Sequence, residues 1–215
     1  MKKVKNLVRK FIHFLGYDIQ KIRRIPELSS PSSIGSLLKV QYACGPNVLR
    51  DWVNVDFYHP EFMKNKFGMT NEYIYCQVDL SRNQPFPDNS FSLAFAEDFI
   101  EHLSQGDSII FLSECFRVLK KGGVLRLSFP GLKGVLQRHF SLSVYTEIIK
   151  GKNDAYKLYD HIHFYSKEEL ELVAMHLGFS GIKFTEFGCS DHDGLRGLET
   201  REKQQNLNLY VELTK

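Results

Sequence analysis

The stretch Lys39–Asp56, KVQYACGPNVLRDWVNVD, decides how this chain is read. A short apolar run breaks into Cys44-Gly45-Pro46-Asn47, and a second apolar run, Trp52–Val55, ends on the carboxylate of Asp56. A backbone turn at Gly45 allows a ligand to approach closely because no side chain stands in the way. An acid ending the next strand can accept from both hydroxyls of a ribose. The layout therefore suits an adenosyl cofactor. Only ten residues, Pro46–Val55, separate Gly45 from Asp56, whereas a crossover between parallel strands takes roughly a dozen or more, usually with a helix. The first crossover helix is expected to be very short or absent, and a bound carboxylate then lacks a full helix N-terminus as its anchor.

Working outward, apolar runs predict strands at Leu38–Ala43, Trp52–Asp56, Glu72–Val78, Phe91–Ala96, Val124–Phe129, Ile182–Phe187 and Leu207–Leu213. Residues 59–72 read as a loop or short helix. Residues 106–120 carry helical spacing, with Ser104 or Asp107 as the cap and Gly122-Gly123 as the stop. Residues 131–165 lean helical and are rich in aromatics but lack clean periodicity, as an inserted cover would. Ser166-Lys167-Glu168-Glu169 is a capping box opening a helix that Gly178 ends. The polar stretch 188–206 reads as a long mobile loop. Strands alternating with helices predict an α/β domain, its sheet mostly parallel with helices on both faces and an antiparallel last strand.

At 215 residues and 43% apolar content the chain can bury one substantial core. No run reaches the roughly 18 to 20 apolar residues of a membrane span, and a secretory signal pattern is not evident, so the cytoplasm is the expected location. Cys44, Cys76, Cys115 and Cys189 are 32, 39 and 74 residues apart, too far for a short metal or redox motif, and read as reduced thiols. Residues 1–25 hold eight Lys or Arg against Asp18, a net +7, which leaves −4 on the remainder of a chain of net +3. That balance disfavours a broad nucleic-acid face. Val4, Leu7, Val8, Phe11, Ile12 and Leu15 follow helical spacing, so residues 1–36 read as a basic helical arm and a Ser/Pro-rich linker. The arm either packs on the domain or makes peripheral contact with the inner membrane face.

The series YACGPN (42–47), WVNVD (52–56), VDL (78–80), PFPDNSFSLAFAEDFIEHL (85–103), ECFRVLKKGGVLRLSFP (114–130) and HFYSKEELELVAMHLGF (163–179) resembles the class I S-adenosylmethionine-dependent methyltransferases. The resemblance is nearest to a small bacterial group associated with surface-glycan gene clusters, and it spans about residues 37–213. It implies a Rossmann-like sheet with a shortened first helix and S-adenosylmethionine as cofactor. It implies that Ala43, Cys44 and Gly45 pass beneath the methionine part and that Asp56 holds the ribose. By the same resemblance Asp79 and the Leu80 amide meet the adenine, and Glu97 meets the ammonium. The chain departs from the family at Ala43, where glycine is usual. It also lacks the G-x-G-x-x-G of dinucleotide enzymes.

An acceptor hydroxyl must lose a proton on methylation, and histidine is the natural group to take it. His102 in Glu101-His102-Leu103 is the first candidate. His161 and His163, two apart in Asp160-His-Ile-His, are expected to share a face of an extended segment and line the acceptor pocket, with His163 a second catalytic candidate. An H-x-H pair can also hold a metal, but no third ligand with convincing spacing stands nearby, so no metal is expected. The acceptor expected is a small molecule or a sugar or glycan precursor, methylated on oxygen. Two rivals remain: a catalytically silent protein that binds S-adenosylmethionine or S-adenosylhomocysteine, and a nucleic-acid methyltransferase guided by the arm.

Overall fold

The computed structural model describes residues 38–140 and 144–215. The arm and linker expected over 1–36 lie outside the described residues. Within them the strands form a seven-stranded sheet: β1 (Lys39–Tyr42), β2 (Val53–Asp56), β3 (Ile74–Gln77), β4 (Phe91–Glu97), β5 (Leu119–Pro130), β6 (Gly181–Phe184) and β7 (Asn208–Thr214). Their order is β3-β2-β1-β4-β5-β7-β6. β1 to β5 run parallel, while β7 lies antiparallel between β5 and β6. The α/β, mostly parallel, Rossmann-like architecture is the expected one. Strand order reverses at β1 and β4, and ligands of open parallel sheets lie outside the carboxyl ends of the strands at such a point.

Side-chain alternation along the strands sorts the two faces. Val40, Tyr42, Val55, Ala94, Leu125 and Leu127 point into the main core, against Phe111, Leu112 and Cys115 of α2 (Gln105–Val118) and Leu170 and Ala174 of α5 (Lys167–Leu177). The intervening residues Gln41, Asn54, Phe95, Arg126 and Glu212 point the other way, and all are buried. The remaining helices are α1 (Pro60–Phe67), α3 (Leu132–His139) and α4 (Tyr145–Lys152), the last followed by a π turn at Asn153–Lys157. Two helix N-termini follow the sequence signals: Ser104 accepts from the Asp107 amide, and Ser166 from the Glu169 amide. Gly178 ends α5 in the left-handed region at φ 99°.

Three expectations change. The glycine pair does not stop α2, which ends at Val118; β5 begins at Leu119, and Gly122, at φ 75°, sits inside it beside a register shift between Phe91 and Leu93. The strand expected at Ile182–Phe187 ends at Phe184. The third concerns residues 188–206, which form a packed strap instead of a free loop. Leu195 is fully buried, and with Leu198 it packs on Trp52, Phe95 and Val124. The reason is the missing first helix: no helix links β1 to β2, so the face of β1, β4 and β5 that such a helix would cover is closed by the β6–β7 connection instead.

Candidate active site

The carboxyl ends of β1 to β4 build one rim. After Tyr42 the chain turns sharply, with Ala43 at φ 48° and Gly45 at φ 49°. Ala43 thus holds a left-handed conformation that usually falls to glycine. Cys44 is buried against Met63 and Met69, and burial pushes its thiol pKa up, which suits small filler better than a nucleophile. The short crossover is held by Asn54. Its amide nitrogen donates to the carbonyls of Leu49, Trp52 and Ile74, while its oxygen accepts from the Leu49 amide.

The three acids read from the sequence stand along this rim, each already engaged. Asp56 accepts from the Gly45 amide at 2.8 Å and the Phe57 amide at 2.7 Å. Its own carbonyl receives the Val78 amide, which brings Asp79 and Leu80 alongside. Asp79 is exposed and accepts from the Ser81 amide and hydroxyl and from Arg82. Leu80 is buried in the main core. Glu97 accepts from the Thr200 amide and hydroxyl and from the Arg201 amide. Gly45 and Glu97 line a cleft of about 210 Å³, roofed by Leu198, Thr200 and Arg201 from the strap.

Asp98, next along, pairs with Arg201 at 3.2 Å. Burial, and then the neighbouring Glu97 charge, push its carboxyl up to about 6 against the pull of Arg201. The strap is anchored from beneath by a group that sequence reading missed. Arg126 of β5 is fully buried and donates to Glu199 of the strap, to Glu212 directly across on β7 at 2.9 Å, and to Thr185. Its only sequence signal was an arginine inside an apolar strand, with acids placed to meet it on two later segments.

His102 ends a 3-10 turn at Ile100–His102, and its ring meets that of His161 at 4.9 Å. His163 does not join them. It faces Glu169 of α5 at 2.9 Å and packs on Tyr165. The expectation that His161 and His163 share a face fails because residues 158–166 are irregular and not a strand, so period-two alternation does not apply. The turn and the segment are tied together through Glu101, whose carbonyl accepts from the Ile162 and His163 amides. Burial, helped by the Asp98 charge, raises the Glu101 carboxyl well above its ordinary range.

Residues 41–127 match the family model described as a methyltransferase domain. The chain shares its fold with a solved S-adenosylmethionine-dependent methyltransferase of Thermotoga maritima, described as a possible histamine N-methyltransferase. Identity there is 20% and the TM-score 0.56, over 82% of this chain and 81% of that one. An S-adenosylmethionine-dependent methyltransferase of Mesorhizobium loti aligns at 15% identity and TM-score 0.57, over 85% and 92%. A Haemonchus contortus enzyme, phosphoethanolamine N-methyltransferase 2, solved with phosphomonomethylethanolamine and S-adenosylhomocysteine, aligns at 16% and 0.54, over 82% and 48%. No curated protein matches this chain in sequence.

Proposed function

We propose that this methyltransferase transfers the methyl group of S-adenosylmethionine to an oxygen of a small molecule, with a sugar or glycan precursor as the acceptor class. The observation that carries the reading is the convergence of the Ala43–Gly45 turn, Asp56, Asp79 and Glu97 on one sheet edge, with His102 just beyond the last of them.

The residues fit the cofactor. A side chain at Gly45 would meet nothing within 4 Å, so the backbone there is open to a ligand. Each Asp56 oxygen holds one backbone amide and keeps a further lone pair for a ribose hydroxyl. Asp79 and the Leu80 amide lie where the adenine edge would rest, while Ala43, Cys44 and Glu97 take the methionine end. A cleft of about 210 Å³ is small beside the roughly 300–1,000 Å³ of sites that enclose a whole ligand. On this reading it holds the methionine end, and the nucleoside runs along the open edge by Asp56 and Asp79.

When bound, the cofactor supplies an electrophilic methyl group on a sulfonium. The protein's work is then alignment and exclusion of water, and alignment alone can be worth up to about 7–11 kcal/mol. The Nδ1 of His102 faces the Asp160 carbonyl at 3.3 Å. A carbonyl only accepts, so Nδ1 carries the hydrogen and Nε2 keeps a lone pair for the acceptor end. An acceptor that must shed a proton needs such a group, and an amine does not; this favours oxygen. His163, turned to Glu169, is placed for a structural role. The acidic remainder of the domain supports a non-nucleic-acid acceptor, and the basic arm supports handling of that acceptor in the cytoplasm at the inner membrane face.

One observation favours the silent reading: Glu97 is taken up by Thr200 and Arg201, as in a cleft held shut. Calorimetric titration with S-adenosylhomocysteine tests the proposal. The parent should bind one equivalent and Asp56→Ala should bind at least about tenfold more weakly, as expected when a charged hydrogen-bonding partner is lost. Methyl transfer to monosaccharides and lipid-linked sugars, followed by release of S-adenosylhomocysteine, then separates an active enzyme from a silent binder. No binding by the parent would end the proposal.

A further inference from the structure

Glu101 is the most anomalous residue among those described. It is fully buried, and neither carboxylate oxygen has a hydrogen-bond partner among the described residues. A buried carboxylate in that state costs several kcal/mol or more unless something unseen pairs with it. What lies beside it is two imidazoles. Its Oε1 is 3.8 Å from Nε2 of His102, too long for a hydrogen bond, and Glu101, His102 and His161 can each bring a ligand atom within 4.8 Å of the others.

The two rings are held as metal-binding histidines usually are. Nδ1 of His102 faces the Asp160 carbonyl at 3.3 Å, and Nδ1 of His161 faces the Ala155 carbonyl at 2.9 Å. Since a carbonyl can only accept, both rings carry hydrogen on Nδ1 and leave Nε2 free. A backbone carbonyl on the outer nitrogen is the partner that fixes the tautomer of a ligating histidine. The Ala155 carbonyl belongs to the π turn, an irregularity frequent at functional sites. Tyr159 stacks on His161 and Phe164 meets it edge-on, which limits the ring's freedom.

We propose that Glu101, His102 and His161 form a binding site for a divalent transition-metal ion. Two imidazoles and one carboxylate suit Zn²⁺, Co²⁺, Fe²⁺ or Mn²⁺ better than Mg²⁺ or Ca²⁺, which prefer all-oxygen shells. Ligand atoms about an ion with bonds near 2.1 Å stand roughly 3–3.5 Å apart, so small side-chain rotations close the set. Three protein ligands leave coordination positions open. The site lies three residues beyond Asp98, which lines the cofactor cleft. The binding stands on these residues alone. Its role rests on the methyltransferase reading: the open positions take an acceptor oxygen, and with the ion bound His102 is a ligand in place of a base, the metal's charge easing loss of the acceptor's proton to water.

The test uses the untagged full-length chain, freed of metal with EDTA and titrated with Co²⁺ near neutral pH while visible absorption is recorded, then with Zn²⁺ and Mn²⁺ by calorimetry. One ion per chain should bind. Glu101→Gln, nearly isosteric, and His161→Ala should each weaken binding by at least about tenfold, whereas His176→Ala, exposed on α5, should not change it. Circular dichroism checks that the variants fold. Absence of saturable binding of all three ions by the folded parent overturns the proposal, whatever the variants do, as does undiminished binding by Glu101→Gln. S-adenosylhomocysteine binding with no metal binding would sink this site and spare the methyltransferase reading; the reverse result would do the opposite.

Discussion

Replacing Arg126 with methionine asks what holds the strap over the rim of the candidate site. The guanidinium is fully buried and donates to Glu199, to Glu212 and Thr185, and to the Glu186 carbonyl. Both carboxylate side chains are almost wholly inaccessible. Methionine matches much of the volume but neutralises neither acid, so two carboxylates remain buried without a cation. Removing one partner of a buried pair costs about 3–5 kcal/mol, and for a chain of this size each kcal/mol lowers Tm by about 2–4 °C. The expected loss is therefore on the order of 10 °C. Trp52, the sole tryptophan, packs under Leu195 of the strap, so its fluorescence in a urea titration reports strap release as well as unfolding. Replacing all three groups together, Arg126→Met with Glu199→Leu and Glu212→Leu, removes the buried charge and should recover most of the loss. An Arg126→Met protein within about 0.5 kcal/mol of the parent, inside the scatter of ordinary surface substitutions, would refute the view that this cluster fastens the strap.

Leu195→Ala empties a fully buried position against Trp52 and Phe95; it should cost about 2–5 kcal/mol in urea denaturation and red-shift the Trp52 emission. Asp98 bears on pH dependence. Its folded pKa, about 6, is raised by burial and by Glu97, above an unfolded value near 3.9. The folded state therefore binds its proton more tightly, and that contribution is present below about pH 4 and lost as pH rises through 6. Asp98→Asn should flatten the stability profile between about pH 4 and 6 and add roughly 1–3 kcal/mol above it; an unchanged profile by thermal denaturation would contradict the assignment.

Much of the rim could be read in advance because it is local. Ten residues separate Gly45, just past β1, from Asp56 at the end of β2, and the shortness of that link already told that the first helix was very short or absent. The capping box at Ser166 and the left-handed stop at Gly178 rest on hydrogen bonds within one turn. The glycine pair misled because Gly122 bends a strand as readily as it ends a helix. The strap was misread as mobile because its polarity is real, yet its acid Glu199 has a buried partner, Arg126, 73 residues earlier.

The sharpest division falls at the histidines. The H-x-H of His161 and His163 is visible in the letters, and a search along the chain for a third ligand beside it finds none. Folding turns His163 to Glu169 and brings His161 instead to His102 and the unpartnered Glu101, some sixty residues away. The amino-acid order by itself determined the strands, their parallel arrangement and the acids at their ends, since periodicity, caps and turns act over a few residues. Only the tertiary structure decided which side chains from distant segments face each other. Burial makes each unpaired charge costly, and that cost selects among pairings the linear pattern leaves equal.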